Sequence, residues 1–151
     1  MLTDAMTQTI ERVRLGHVAT VTPGGWPAVS PKGTFVVLDA RTIAFGNIRS
    51  PGTVQNLSHS PSAEVSFVDP YIRKGCRVRG AAEYVRQGST EFDALIPTFT
   101  SIWGDLAQRI SGIVKINVEQ VKPLTTPPYD DGVTEEEMIA LYRAKYAEMY
   151  P

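Results

Sequence analysis

Six stretches of the chain favour β-strands, because apolar and polar residues alternate along them or because they are rich in strand-forming residues. They are His17–Thr22, Trp26–Leu38, Thr42–Ile48, Ala63–Val68, Cys76–Arg86 and Gly112–Leu124. Tight turns such as Pro23-Gly24-Gly25 separate several of them, and short connections favour antiparallel pairing since a parallel return needs a longer crossover. The pattern predicts a mainly β, α+β protein built on a small six-stranded antiparallel barrel.

Helical spacing of apolar residues marks the segments between and around these strands. The predicted helices are Asp4–Leu15, Thr53–His59, a segment around Phe92–Leu106, and a C-terminal helix at about 134–150 that begins with the capping box Thr134-x-x-Glu137. Helices do not alternate with strands, which excludes a doubly wound parallel fold. We therefore expect one domain over residues 1–151, with helices flanking the barrel.

Composition narrows the class of protein but not its chemistry. The chain has 151 residues, of which 42% are hydrophobic and 21% charged, as in ordinary soluble globular proteins. The formal net charge of -1 gives no electrostatic reason to expect binding to nucleic acid or to an anionic membrane.

The expected location is the cytoplasm. Cys76 is the one cysteine, so no internal disulfide can form and a reducing compartment fits. The segment Met1–Leu15 is polar and lacks the apolar centre of a signal peptide, and no run is long enough to cross a bilayer.

Familiar catalytic patterns are missing from the sequence. There is no Cys-x-x-Cys, no His-Glu-x-x-His and no Walker phosphate loop. The two histidines, His17 and His59, are predicted to be structural or solvated, and Cys76 to be a small buried apolar residue. We expect no metal site.

The stretch Phe45–Leu57 has features that suit an anion. A strand ends, a polar Gly-containing turn follows, and a helix begins, an order that can present free backbone N–H groups. The turn carries Arg49, whose guanidinium matches a phosphate, and the hydroxyl of Ser50. A plain connection with an exposed arginine would give the same pattern, so this stretch alone leaves both interpretations open.

A second polar interruption strengthens the ligand interpretation. Ser30, Lys32 and Gly33 break an otherwise apolar strand, Pro31 removes a ladder donor, and Gly33 would allow close approach of a ligand. We predict that this segment and the turn after Phe45 form one ligand site on two adjacent strands.

A third basic set leaves two alternatives open. It consists of Arg73, Lys74, Arg77 and Arg79, and alternation would place Arg77 and Arg79 on one face of a strand. That face is either solvated or part of a ligand site.

The order of these residues resembles the pyridoxamine 5′-phosphate oxidase-like FMN-binding split-barrel family. The resemblance covers roughly residues 17–86, and the strand Gly112–Leu124 fits the closing strand of the barrel. It rests on this ordered series: Ala19-Thr20-Val21, Gly25-Trp26-Pro27, Ser30-Pro31-Lys32-Gly33-Thr34, Phe45-Gly46-Asn47, Arg49-Ser50, Asn56-Leu57, Pro61, Val65-Ser66-Phe67 and Gly80.

The resemblance implies a six-stranded antiparallel split barrel and a homodimer with FMN in two grooves at the subunit interface. The phosphate role falls on Arg49, Ser50 and Lys32, with Thr53 at the helix start. The remaining implied contacts are of three kinds. Ser30, Pro31, Gly33 and Thr34 would lie beside the isoalloxazine ring. Gly46 and Asn47 would contact ribityl or phosphate oxygens. Arg77 of the partner subunit would reach the flavin.

Two departures from the family pattern bear on the substrate. Arg49 precedes Ser50 and Pro51-Gly52 follow, where authentic pyridoxamine phosphate oxidases have a Ser-Arg-Lys run. The chain also ends in a Pro-rich linker and a helix with an acidic start rather than a basic, Trp-containing tail. An FMN-dependent oxidoreductase acting on another small molecule is therefore expected. The alternatives are a non-catalytic flavin- or haem-binding protein and a deazaflavin-dependent reductase.

Overall fold

A computed structural model describes residues 1–151 as one seven-stranded antiparallel sheet with four α-helices. The strands are β1 (Gly16–Val21), β2 (Pro27–Lys32), β3 (Phe35–Asp39), β4 (Thr42–Asn47), β5 (Ser62–Val68), β6 (Gly75–Arg86) and β7 (Gly112–Leu124). The helices are α1 (Asp4–Val13), α2 (Pro51–His59), α3 (Thr90–Trp103) and α4 (Glu135–Met149). Two 3₁₀ segments lie between α3 and α4, at Gly104–Arg109 and Pro127–Tyr129. The predicted mainly β, α+β split barrel is confirmed.

The sheet has seven strands rather than the expected six, because the predicted strand Trp26–Leu38 is two strands. β2 pairs with β1 and β3 pairs with β4, and the strand order is β2-β1-β5-β6-β7-β4-β3. The break follows Pro31, which has no N–H to donate, and the Phe35 N–H bonds the Arg14 carbonyl instead of a strand.

The two edges of this sheet, β2 and β3, are consecutive in the chain. Only Gly33 and Thr34 connect them, and a connection this short cannot bridge two edges that lie far apart. The sheet must therefore curl until its edges meet, although they do not pair with each other. This unpaired seam is the split of the barrel, and Ser30–Thr34 lies along it.

Large apolar side chains fill the barrel. The ring of Phe35 lies 5.2 Å from Phe45 and 4.8 Å from Phe67, centroid to centroid, and all three are fully buried. A second cluster packs Phe92 and Phe99 of α3 against residues of the sheet. These clusters hold the ends of the strands, and hence the polar loops between them, in fixed positions.

The C-terminal helix α4 is peripheral. Its predicted capping box between Thr134 and Glu137 is present, and Met138 is its one buried side chain. The Arg73 guanidinium lies 4.0 Å from the ring centroid of Tyr142 and donates to the Tyr146 hydroxyl, so polar and aromatic contacts attach this helix. None of the four helices has both the length and the apolar character of a membrane span.

Candidate functional site

The start of α2 differs from the start of the other three α-helices. Side chains of Thr3, Ser89 and Thr134 cap α1, α3 and α4, whereas Ser50 makes no side-chain hydrogen bond to α2. Pro51 occupies the first turn, where its missing N–H costs nothing. The first turn of α2 therefore has N–H groups that no side chain satisfies, which is the arrangement that binds anions.

A groove of about 470 Å³ opens at this helix start and is called the α2 groove below. Four residues predicted from the sequence as ligand contacts line it together: Ser30, Arg49, Ser50 and Thr53. Arg49 is exposed and forms no ion pair with a carboxylate. The groove thus combines a free guanidinium, two or more hydroxyls and uncapped N–H groups, which together suit a phosphate.

The α2 groove does not form on adjacent strands, as the sequence pattern suggested. β2 lies at one edge of the sheet, β4 lies next to the other edge, and the two do not pair. The helix brings them together instead, because α2 packs against β1, the hydrogen-bonded neighbour of β2. The buried Asn56 amide donates to the Thr20 hydroxyl over 3.0 Å and fixes this packing.

Lys32 is a buried cation beside the seam of the barrel. Its side chain shares a face of β2 with Ser30, and its ammonium donates to the Ser30 hydroxyl over 2.5 Å. It is 8% exposed and pairs with no carboxylate, so burial lowers the pKa of Lys32. Pro31 and Gly33 are exposed, and open space surrounds the position of a side chain on Gly33. An anion near Ser30 would stabilise this ammonium.

Two of the predicted contacts, Thr34 and Gly46, are engaged inside the protein. The Thr34 hydroxyl donates to the Gly46 carbonyl over 2.8 Å. A Cβ on Gly46 would lie 2.5 Å from the Ile110 side chain, so a larger residue there would force the buried Ile110 to move. Both residues position β4 at the seam, and their contacts with a ligand stay predictions.

Asn47, at the end of β4, has an acceptor without a donor. It is 7% exposed; its amide N–H reaches the Ser111 hydroxyl at 3.4 Å, whereas its Oδ1 atom is buried and unpartnered. Asn47 lines a second cavity of about 530 Å³ that shares Arg49 and Ser50 with the α2 groove. A hydroxyl-bearing ligand would supply the missing donor.

Arg77 does not line the α2 groove of its own chain. Its Nε atom lies 3.2 Å from Glu64, and Arg79 lies 2.9 Å from the other oxygen of the same carboxylate. The predicted placement of Arg77 and Arg79 on one face is confirmed, with Cys76 buried on the opposite face. The predicted contact of Arg77 with a flavin would have to come from a second copy of the chain.

The sequence interpretation missed five polar residues of these cavities: Thr20, Thr22, Gln55, Ser58 and Ser111. Thr20 carried a signal, since it occupies the face of β1 that Val18 buries and so interrupts an apolar row. Ser111 carried none, because its proximity to Asn47 depends on the pairing of β4 with β7.

Comparison with known families adds to this geometry. A model of the pyridoxamine 5′-phosphate oxidase family matches residues 2–149. The chain belongs to this family. No curated protein matches the chain.

Solved structures share the fold of this pyridoxamine 5′-phosphate oxidase family member. HupZ of Group A Streptococcus has 26% identity and a TM-score of 0.71, with 83% of this chain and 96% of that chain covered. An FMN-binding protein of Syntrophomonas wolfei has 12% identity and a TM-score of 0.66, over 80% and 84%. An F420 reductase has 20% identity and a TM-score of 0.63, over 80% and 98%.

Proposed function

We propose that the chain is an FMN-binding flavoprotein, an oxidoreductase that acts on a small molecule, and that the α2 groove holds the FMN phosphate. The observation that carries the proposal is the uncapped start of α2 beside Arg49, a guanidinium with no carboxylate partner. Membership of the pyridoxamine 5′-phosphate oxidase family and the likeness to an FMN-binding protein support it.

The residues divide the cofactor between them. Arg49, Ser50 and Thr53 would bind the phosphate through the guanidinium, hydroxyls and N–H groups. Asn47 would accept from a ribityl hydroxyl through its free Oδ1 atom. Ser30–Thr34, along the seam, would border the ring.

Bound FMN would supply hydride and electron transfer, and this chain would supply binding, orientation and charge. Lys32 is the cation nearest to the proposed ring segment, and it is bonded to Ser30. Its buried ammonium would favour negative charge on the ring in the reduced state. Since the flavin carries the redox chemistry, no histidine or cysteine of the chain is needed for it.

We also propose a homodimer, in which a second copy covers the outer face of β1, β2, β5 and β6. Val29 and Val21 are 67% and 39% exposed there. The register aligns Val29 with Ala19, Ala19 with Glu64 and Glu64 with Arg79, so apolar residues and the arginine pair share one face. A partner seated on it could offer its own Arg77 to the groove.

The experiment that tests the proposal is a visible absorption spectrum of the purified protein, before and after addition of FMN and removal of the excess. We expect flavin bands that stay with the protein, with nearly equal amounts of FMN and protein chain. The deazaflavin F420 is the second candidate, favoured by the likeness to an F420 reductase. Retention of F420 or haem, but not FMN, would overturn the FMN assignment. Sedimentation of a strict monomer at micromolar concentration would overturn the shared site.

A further inference from the structure

A separate cleft of about 570 Å³ opens where the end of α1 meets the start of β1 and the loop after β5. Its walls include Arg12, Leu15, His17, Val68, Tyr71 and Arg73, none of which lines the α2 groove. Its volume falls in the range of small-molecule sites in proteins, roughly 300–1,000 Å³. We define it as the α1 cleft.

One wall of the α1 cleft is apolar and exposed to solvent. Leu15, Val68 and Tyr71 are 45%, 42% and 40% exposed, although they come from three different segments of the chain. Apolar side chains that converge in a concavity gain stability when an organic molecule replaces the water on them. The wall therefore favours a ligand with an aromatic or aliphatic body.

The charges of the α1 cleft favour an anion. The Asp69 carboxylate is 6% exposed and has partners on both oxygens, since it accepts from the Tyr71 and Ile72 N–H groups at 2.9 and 3.2 Å and from Arg12 at 3.3 Å. Arg12 neutralises that carboxylate and keeps further donors free. Arg73 has no carboxylate partner, so the cleft carries a net positive charge.

The backbone holds Arg73 in place. Its φ of 56° lies in the left-handed region, which a non-glycine residue adopts only when its surroundings impose it. Hydrogen bonds from the Arg73 N–H to the Asp69 carbonyl and from the Asp69 N–H to the Lys74 carbonyl, both 2.9 Å, close this loop. The Arg73 Nε atom is buried without a partner, whereas the guanidinium rests on Tyr142.

We propose that the α1 cleft binds an amphipathic organic anion, a carboxylate with an aromatic or branched aliphatic body. The apolar wall covers the body, and Arg12 and Arg73, which both line the cleft, supply the positive charge that attracts the carboxylate. The proposal does not depend on FMN, but it requires the second copy of the proposed homodimer to leave uncovered the end of the outer face that carries His17 and Val68. It gives the α1 cleft a place near the seam, because His17 is the cross-strand partner of Pro31.

The test is a titration of the ¹⁵N-labelled protein, as purified, with indole-3-acetate and with its neutral analogue indole-3-acetamide. Saturable amide shifts are expected at Leu15, His17, Val68 and Tyr71. Because the two probes differ only in charge, the acid should bind at least about fivefold more tightly than the amide. Equal affinity of the two probes, or shifts outside the cleft, would overturn the proposal. Shifts confined to Ser50–Thr53 would overturn it while leaving the α2 groove as an anion site.

A matched pair of variants sharpens the test. Leu15→Glu places a carboxylate in the cleft, and Leu106→Glu makes the same change at a side chain of similar exposure, 45% against 41%, on the 3₁₀ segment after α3. Leu15→Glu should weaken indole-3-acetate binding about tenfold or more, and Leu106→Glu should leave it within twofold. Unchanged binding by Leu15→Glu would contradict the proposal.

Discussion

The α2 groove and the outer face of β5 and β6 both display arginines, and they differ in what compensates the positive charge. In the α2 groove, Arg49 has no carboxylate partner and stands beside a helix start without a cap. On the outer face of β5 and β6, Arg77 and Arg79 share the two oxygens of Glu64, at 3.2 and 2.9 Å. The second region is called the Glu64 cluster below.

If the α2 groove holds the FMN phosphate as proposed, the number of arginines alone does not identify an anion site. An anion that enters the Glu64 cluster must compete with a carboxylate already in place, whereas in the α2 groove it meets no competitor. Exposed ion pairs contribute only about 0–1 kcal/mol to stability. The main effect of Glu64 is therefore that it occupies the donors of the two arginines, rather than that it stabilises the fold. Uncompensated charge next to free donors is the feature to search for.

The largest expected effect follows from Arg49→Ala. Loss of a charge-assisted contact with phosphate should cost about 2 kcal/mol, which is roughly a 30-fold weaker FMN affinity. Quenching of FMN fluorescence on titration with the protein measures it. Arg79→Ala is the control from the Glu64 cluster and should leave the affinity within about twofold. Equal losses in the two variants would break the comparison.

The local part of the α2 groove could be predicted from the sequence, and the non-local part could not. The order of strand, turn and helix over Phe45–Leu57 reflects short-range preferences, and the structure shows it as β4 followed by α2. Ser30 and Arg49 line the same groove only because α2 packs against β1, and that packing cannot be read from the spacing of residues along the sequence. The interruption at Pro31 and Gly33 was visible within Trp26–Leu38, but the sequence did not show that the two halves pair with different strands.

The Glu64 cluster shows the same limit. Alternation correctly placed Arg77 and Arg79 on one face, because side chains of a strand alternate whatever its partner. Their neutralisation depends on the register that sets Glu64 opposite Arg79, and register is a property of two distant segments. The family resemblance predicted the barrel for a different reason, namely an ordered series of residues.

Cys76 lies under the Glu64 cluster, on the inner face of the same strand, and gives the next effect. It is fully buried, and burial raises the pKa of its thiol to about 11 from 9.0. Below pH 9 the thiol is protonated in both states; above it the unfolded state ionises first, so stability is lost as pH rises from 9 towards 11. Urea denaturation at pH 10 should show about 1 kcal/mol of this loss.

Cys76→Ala supplies the control for that measurement. The variant should lose less stability than the native chain between pH 8 and pH 10, because the other titrating groups are common to both. Ellman's reagent should not react with the folded native chain at pH 8. Rapid reaction there would mean that the inner face of β6 opens to solvent, which contradicts the burial of Cys76.

Asn47→Ala should have a smaller effect on the α2 groove than Arg49→Ala. Its free Oδ1 atom is proposed to accept one neutral hydrogen bond from FMN, so a loss of about 1 kcal/mol, or roughly fivefold in affinity, is expected. Isothermal titration measures it, with the exposed Asn117→Ala as the control. If Asn47→Ala binds FMN as tightly as the native chain, the unpartnered Oδ1 atom does not contact the ligand.

The smallest expected effect comes from Glu64→Gln, which removes the occupant of the Glu64 cluster and keeps its shape. Arg77 and Arg79 then have no carboxylate, and inorganic phosphate should bind weakly between them, with millimolar affinity. Amide and guanidinium NMR shifts of both arginines on titration with phosphate would report it.

Glu83→Gln is the matched control, because Glu83 lies on another part of β6 and pairs with Lys115 of β7. It should leave Arg77 and Arg79 silent towards phosphate. If phosphate causes no shifts in Glu64→Gln either, then compensation of charge does not explain why the α2 groove and the Glu64 cluster differ. If it responds, and if a partner's Arg77 reaches the flavin in the dimer, the same substitution should also tighten FMN binding, since the released guanidinium no longer has to leave a carboxylate to meet the cofactor.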